Sequence, residues 1–566
     1  MRSPLLLLVL GLATAFPARA QHPAVTVEDR LRSMTLADKV AQLIMPWVGG
    51  GYSSYDDPAM DRVTRWVDSL HVGGVVVSIG SPLDIAARLN HLQRQAPLPL
   101  LVASDLEGGT AFRFTGGTAF PTNMGVGATG RDDFAHAMGR ITALEGRAVG
   151  VHVTFSPVAD INNNPANPII NTRSFGENPG LVARMVAAQV RGTREGGMLA
   201  TAKHFPGHGD TGTDSHLALP VVPVDWARLS AVELVPFRAA IAAGVELVMS
   251  AHIALPGIDS GLTRPATMVP SILTGILRDS LGFRGLIITD ALDMGGVVAG
   301  YGAGEAAVQA LMAGSDLLLM PTDPVIAVSA VVEAVRTGRV SEARIDTSVR
   351  MLLDLKESLG LYRQRTVSLD GVPAIVGRAE HTALAADASA KSLVLLKDAG
   401  LIDSLARGTR RIAVVAYGEG SGISVGTTLS AELRQAGHQV TTVRLSPASG
   451  PASYDSAGTI MAERDYVVFA VAVRAREGAG TVAMPAALAS LIAAAGSRGA
   501  LVSFGSPYII GQAPEVGTCL LAWVTNALTE RAAAGALGGA AITGRLPVSI
   551  PPEWQVGAGI ERRGSR

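Results

Sequence analysis

The sequence predicts an α/β protein in two parts: a (β/α)8 TIM-type barrel, then a smaller α/β domain. Three observations carry that expectation. Short, continuous apolar runs alternate with helical patterns from about residue 35 to Leu361, the pattern of a parallel sheet covered by helices. Polar residues gather at the C-terminal ends of these runs, where barrel enzymes place their chemistry. After an aperiodic stretch, the alternation resumes near Leu384. The 566 residues are also too many for one compact domain.

Residues 1–20 read as a signal peptide. Arg2 supplies the positive start, Leu5 to Leu12 a short apolar core, and Ala18-Arg19-Ala20 a small-x-small cleavage site before Gln21. An uncleaved anchor is the alternative, but the apolar run is short for a bilayer. The expected location is therefore secreted or periplasmic, with no stable membrane insertion after cleavage. The barrel is assigned to residues 21–361. Thr35-Leu36-Ala37-Asp38 resembles a capped helix start, with Lys39, Val40, Leu43 and Ile44 continuing at helical spacing. Strand-like runs follow at Gly74–Ser78, Leu100–Asp105, Val153–Val158, Ala200–His204, Leu247–His252, Leu286–Asp290 and Asp316–Met320. An open, doubly wound sheet would give the same periodicity. Residues 362–379 lack a clear period and read as a linker. Residues 380–566 form the second domain, with runs at Leu393–Leu396, Ile412–Val415, Val440–Val443, Val467–Val471 and Ala500–Phe504.

Composition narrows the function. With 47 Lys+Arg against 48 Asp+Glu, no basic field exists to attract nucleic acid. Cys519 is the only cysteine, so neither an intrachain disulfide nor a zinc–thiolate cluster can form. No cofactor is implied.

The segment Lys203–Pro220, KHFPGHGDTGTDSHLALP, is the most informative. So many glycines and polar groups point to a loop held close to a ligand. Asp214 and His216 lie two apart and would project to the same side of an extended loop. A carboxylate beside an imidazole favours the protonated ring and orients it, as a general acid requires. His204, His208 and His216 could instead ligate a metal, or the loop could be structural. Asp290 sits at the end of an apolar strand, where a carboxylate can attack an anomeric carbon. It could equally cap the next helix, although Asp293 is the better candidate for that start. In Ser104–Gly109, Asp105 could accept two sugar hydroxyls, and Arg113 lies eight residues on. Arg173, closing an Asn- and Pro-rich loop that begins at Asp160, could donate a fork of hydrogen bonds. Each of these could also be a solvated charge or half of an ion pair.

Over about residues 30–550 the chain resembles glycoside hydrolase family 3, in its β-N-acetylglucosaminidase branch. The motifs that carry the likeness are KHFPGHGDTGTDSH, the loop ending RSFGENP, DLEGG and the strand reaching Asp290. The resemblance implies a barrel followed by an α/β sandwich. It implies Asp290 as nucleophile, His216 as acid/base and Asp214 as its partner. It also implies Asp105, Arg113, Arg173, Lys203 and His204 as the residues holding the terminal sugar. Thr110 departs from the Arg usual after the two glycines, and Ala291 from the Asp common after the nucleophile.

The β-glucosidases of that family lack the GHG…DSH loop and take a Glu acid from the second domain. The expected activity is therefore retaining hydrolysis of terminal β-linked N-acetylhexosamine, a β-N-acetylhexosaminidase. Its expected partner is an amino-sugar oligosaccharide or a peptidoglycan fragment, as in peptidoglycan turnover. The alternatives are a β-N-acetylglucosaminide phosphorylase, a β-glucosidase and a non-catalytic glycan-binding protein. The last would predict loss of Asp290 or His216, and both are present. Muropeptides, chitooligosaccharides and glycoprotein glycans can end in the same sugar.

Overall fold

Among the described residues, nine short strands build the first part of the chain: β1 (Ile44–Met45), β2 (Trp47–Gly49), β3 (Gly74–Ser78), β4 (Leu101–Ser104), β5 (Val153–Thr154), β6 (Leu199–Phe205), β7 (Leu247–Ser250), β8 (Leu286–Ile288) and β9 (Leu318–Leu319). The computed structural model describes residues 25–54, 56–419, 424–480 and 482–564. The expected leader, residues 1–20, lies outside them.

Strands β2 to β8 pair in sequence order, every pair parallel. Ile288 then bridges in parallel to Leu317, and β9 pairs with β1. Only Pro46 separates β1 from β2, so the ladder curls back on itself in a TIM-like domain. An open sheet would leave its end strands unpaired. Strands β3, β4, β7 and β8 are buried along their whole length, which is why they read as unbroken apolar runs. The covering helices begin on strong caps. Ser81, Asn178 and Asp323 each accept a backbone N–H, and a proline follows in the first turn.

Two expectations about the N-terminal segment part company here. The capping box at Thr35 and Asp38 forms, but its helix ends at Ala41, and Ile44 lies in β1. Leu43 and Ile44 are fully buried. Their apolar pair suited helical spacing, but pairing Ile44 with Leu318 is what closes the sheet.

The second part holds β10 (Val394–Lys397), β11 (Arg411–Gly418), β12 (Gln439–Leu445), β13 (Tyr466–Ala472), β14 (Gly499–Ser503) and β15 (Thr518–Leu521). Their order is β10-β15-β14-β13-β11-β12, parallel except where β10 meets β15. Alternate residues feed two cores: Val415, Phe469 and Leu501 on one face, and Val414, Val468 and Val502 on the other. The sequence reading missed β15, a short TCLL run without period-two alternation. Between the helices Glu342–Ser358 and Ala379–Ser392 there is no helix or strand. That segment packs on the barrel, with Val367 paired through both its N–H and C=O to Asn90. Among the described residues no helix is long and apolar enough to cross a membrane.

The two parts meet over the C-terminal ends of the barrel strands. Glu177 accepts from both the N–H and the hydroxyl of Ser549 at 2.7 Å each. Asn162 donates to the Tyr508 hydroxyl at 2.7 Å. The fully buried Trp523 packs so closely on Gly125 that a methyl there would lie 2.9 Å from the indole.

Candidate active site

Strands β4, β6, β7 and β8 each run out into a charged or polar residue at the same end of the curled sheet. These are Asp105 after β4, Lys203 and His204 within β6, His252 after β7, and Asp290 after β8. Asp160 follows β5 and is fully buried.

Lys203 anchors the first cluster. Its side chain is 2 % exposed, and the ammonium lies 2.7 Å from Asp105 and 2.8 Å from Glu107. Arg173 grips Glu107 with two bonds, at 3.0 and 2.9 Å. Arg173 Nη2 also donates to His204 Nε2 at 3.2 Å. Guanidinium nitrogen has no lone pair to offer, so Nε2 accepts and the ring proton sits on Nδ1. That proton points at Asp160 Oδ2, 2.7 Å away. Asp160 Oδ1 takes the backbone N–H groups of His204 and His208 at 3.2 and 2.7 Å. Arg113 joins at the edge, 3.5 Å from Asp105. The alternating charges explain why so many can be buried together. Burial alone would raise the pKa of Glu107, but Arg173 and Lys203 hold it far below the usual carboxylate range. Asp160 is likewise held below the usual range, chiefly by His204, whose Nδ1–H it accepts. Asp105 keeps about a quarter of its side chain exposed, and its spare lone pairs can accept ligand hydroxyls.

Asp290 is half-buried, and its Oδ1 accepts the N–H of Ala291 at 2.8 Å. Burial pushes its pKa up. The His204 and His252 rings, the Ala291 N–H and Lys203 together more than offset this, so it stays ionised. His252 is fully buried and donates from Nε2 to the Ala291 carbonyl at 2.9 Å. Burial lowers its pKa, and the ring buttresses the peptide next to Asp290. Asp293 does not start the next helix. That helix spans Gly295–Val298 with Met294 as its cap.

The His216–Asp214 pair forms as expected, but not on an extended loop. Asp214 opens a turn. Its Oδ1 takes the backbone N–H of His216 at 2.9 Å and faces ring Nδ1 at 2.8 Å, while Leu217 and Ala218 donate back to its carbonyl. The tight turn, rather than strand alternation, brings the two side chains together. Asp214 is 1 % exposed, and its Oδ2 accepts the N–H of Gly478, in the second domain, at 2.7 Å. His216 Nε2 lies 4.0 Å from a Glu477 carboxylate oxygen. This loop also touches the one carrying Asp290: Gly296 donates to the Ser215 carbonyl at 3.0 Å. Gly295 packs so tightly that a Cβ would lie 2.5 Å from the His216 carbonyl oxygen.

The three histidines do not converge as metal ligands. His208 is bonded through Nδ1 to Thr211 and through Nε2 to Ser215, at 2.8 and 2.9 Å. Burial pushes its pKa down to about 4. Both nitrogens of His204 are likewise taken. Thr110 turns inward to bond Glu145, which also holds His381 at 2.8 Å. The sequence reading had noted Asp160 and His252 as strand-end residues without giving them work, and it missed Glu107 and Gly478. Glu107 lay in the quoted DLEGG motif; Gly478 carried no signal.

Chemically, the site sets an ionised carboxylate near an imidazole whose other nitrogen is backed by a second carboxylate. Beside them lies a grid of charges suited to hydroxyls. Residues 35–355 match the glycosyl hydrolase family 3 N-terminal domain. A beta-N-acetylglucosaminidase/beta-glucosidase of Cellulomonas fimi is 32% identical over 508 residues, 85% of this chain and 88% of that protein. The solved family 3 beta-N-acetylglucosaminidase of Paenibacillus sp. str. FPU-7 superposes with a TM-score of 0.82 at 34% identity, covering 92% of this chain and 99% of that one. A solved beta-glucoside phosphorylase gives 0.83 at 26% identity, covering 92% and 96%.

Glu107→Gln leaves Lys203 and Arg173 buried against one carboxylate fewer. It should cost about 3–5 kcal/mol of stability at neutral pH, measured by denaturant unfolding. Because the folded pKa is depressed, this contribution is present above about 4.5 and is lost as pH falls below it. The gap between wild type and variant should therefore narrow in acid.

Proposed function

Because this chain belongs to glycosyl hydrolase family 3, we propose that it is a retaining β-N-acetylhexosaminidase working through a glycosyl-enzyme on Asp290. The observation that carries the reading is the direct contact between the Asp290 loop and the His216–Asp214 turn, through Gly296 and Ser215. It sets a carboxylate held ionised beside an imidazole with one free nitrogen. The curled sheet is read as eight β/α units, and the second part as the family's α/β sandwich.

In the first step an Asp290 oxygen attacks the anomeric carbon. The C1–O bond to the leaving group breaks, and His216 Nε2 gives its proton to the departing oxygen. Asp214 stabilises the charged ring and fixes its orientation through Nδ1. In the second step a water oxygen attacks C1, its proton goes to Nε2, and the ester to Asp290 opens. Asp105, Lys203, Arg173, His204 and Arg113 hold the terminal sugar. Their mutual bonds spare most of the reorganisation that loose side chains would need. The names of the relatives and the GHG…DSH loop support an N-acetylhexosamine in the pocket. With residues 1–20 read as a cleaved leader, the reading places the enzyme outside the cytoplasm, on the amino-sugar ends of peptidoglycan fragments or related oligosaccharides.

Asp290→Ala should lower turnover by several orders of magnitude in a folded protein, and a fluorosugar inactivator should mark Asp290 in peptide mass spectra. A label on Asp293 would reassign the nucleophile. An aryl β-N-acetylglucosaminide should be cleaved far faster than the aryl β-glucoside. Equal rates, or a preference for the glucoside, would overturn the N-acetylhexosaminidase reading.

His216→Ala should spare the first step on activated aryl substrates and cripple it on disaccharides, because a sugar alkoxide needs a proton to leave. With aryl substrates a burst should precede a slow steady state, and azide should restore turnover. A uniform loss across leaving groups, without burst or rescue, would remove His216 from the acid/base role.

A further inference from the structure

The loop after β13 leaves the second domain and reaches the barrel's catalytic turn. Gly478 adopts the left-handed backbone, with φ of 75°, that glycine tolerates without strain, and its N–H engages Asp214. The residue before it, Glu477, points its carboxylate at the free side of the imidazole. Glu477 Oε2 lies 4.0 Å from His216 Nε2. Two carboxylates therefore bracket one ring: Asp214 at Nδ1 and Glu477 at Nε2. The neighbouring Arg476 turns to Glu419, at 3.7 Å. Glu477 keeps two-thirds of its side chain exposed, so its charge faces the opening.

We propose that Glu477 is a specificity-determining residue that excludes anionic acceptors, so that the glycosyl-enzyme is resolved by water rather than by phosphate. This rests on the reading of Asp290 as nucleophile and His216 as acid/base. The two fates of the intermediate differ in proton traffic. With water, the new C1–O bond forms as the Asp290 ester breaks, the electron pair returns to the carboxylate, and a proton passes to His216 Nε2. With a phosphate dianion, a phosphate oxygen forms the C1–O bond and the same ester breaks, with no proton to remove. Phosphate thus needs no base, and an imidazole by itself carries no negative charge to repel it. A carboxylate 4.0 Å from Nε2 restores that repulsion on the side from which the acceptor must approach, since the sugar and Asp290 occupy the other. Asp290 is neutral while it is esterified, so Glu477 supplies the charge that an incoming dianion meets.

The experiment partitions the intermediate. Wild type, Glu477→Gln, Glu477→Ala and the charge-retaining Glu477→Asp are given an aryl β-N-acetylglucosaminide with inorganic phosphate, azide, formate or methanol. Products are quantified by phosphorus NMR and mass spectrometry. The Gln and Ala variants should raise transfer to the three anions about tenfold relative to water. Transfer to neutral methanol should stay unchanged, and the Asp variant should resemble wild type. Unchanged anion partitioning in both neutral variants would overturn the proposal. So would a parallel rise for methanol, which would mean that space rather than charge was released, or a wild type that already yields mainly sugar 1-phosphate. Because every readout is a ratio of products from one intermediate, failure here is separable from failure of the nucleophile assignment, which would abolish labelling of Asp290.

Discussion

Lys203 is the charge around which the site is organised. A lysine whose side chain is 2 % exposed is tolerable only if anions meet its ammonium within the protein. Asp105 and Glu107 do so, arriving from the end of a different strand. Glu107 then needs its own second cation, which is Arg173; Arg173 fixes the proton on His204, and His204 hands it towards Asp160. Lys203, Glu107, His204 and Asp160 are buried at a cost that only their neighbours offset. The chain of pairings therefore ties three strand ends and the Asn-rich loop into one rigid floor. On the proposed reading, such a floor presents hydroxyl-binding groups already oriented, which is worth more to a transition state than groups that must be gathered on binding.

The side carrying the proposed acid/base pair is built differently. The Asp214–His216 turn rests on few buried charges. Its geometry comes from backbone donors: the His216 N–H within the turn and the Gly478 N–H from the second domain. The second domain thus completes the site as well as covering it. Contacts such as Glu177 with Ser549 and Asn162 with Tyr508 keep that donor in register. A single-domain barrel with the same motif would have to find another partner for Asp214 Oδ2, or leave it to water.

Much of this was legible beforehand, for a physical reason. Parallel strands buried on both faces show as unbroken apolar runs, and their polar terminators show as breaks in those runs. Asp105, Lys203, His204 and Asp290 could therefore be located as strand ends without coordinates. The reading erred where one pattern served two structures. Leu43 and Ile44 suited a helix or a strand, and closing the sheet decided for the strand. Asp214 and His216 suited an extended loop or a turn, and hydrogen bonding to one carboxylate oxygen decided for the turn. Asp293 looked like a helix cap, but the helix begins two residues later.

By itself, then, the sequence determined the α/β alternation, the strand ends that carry the charged residues, and the contiguous stretch Lys203–His216 that holds half of the candidate site. These are local properties, set by burial period and by residues close along the chain. Only the tertiary structure decided which charges pair, so that Glu107 becomes the keystone between Lys203 and Arg173. It alone also brought Gly478 to Asp214 across 264 residues and aimed Glu477 at the imidazole. Those contacts leave no periodic trace, because a backbone N–H is common to nearly every residue and an exposed glutamate in a loop resembles any solvated charge until the fold gives it a neighbour.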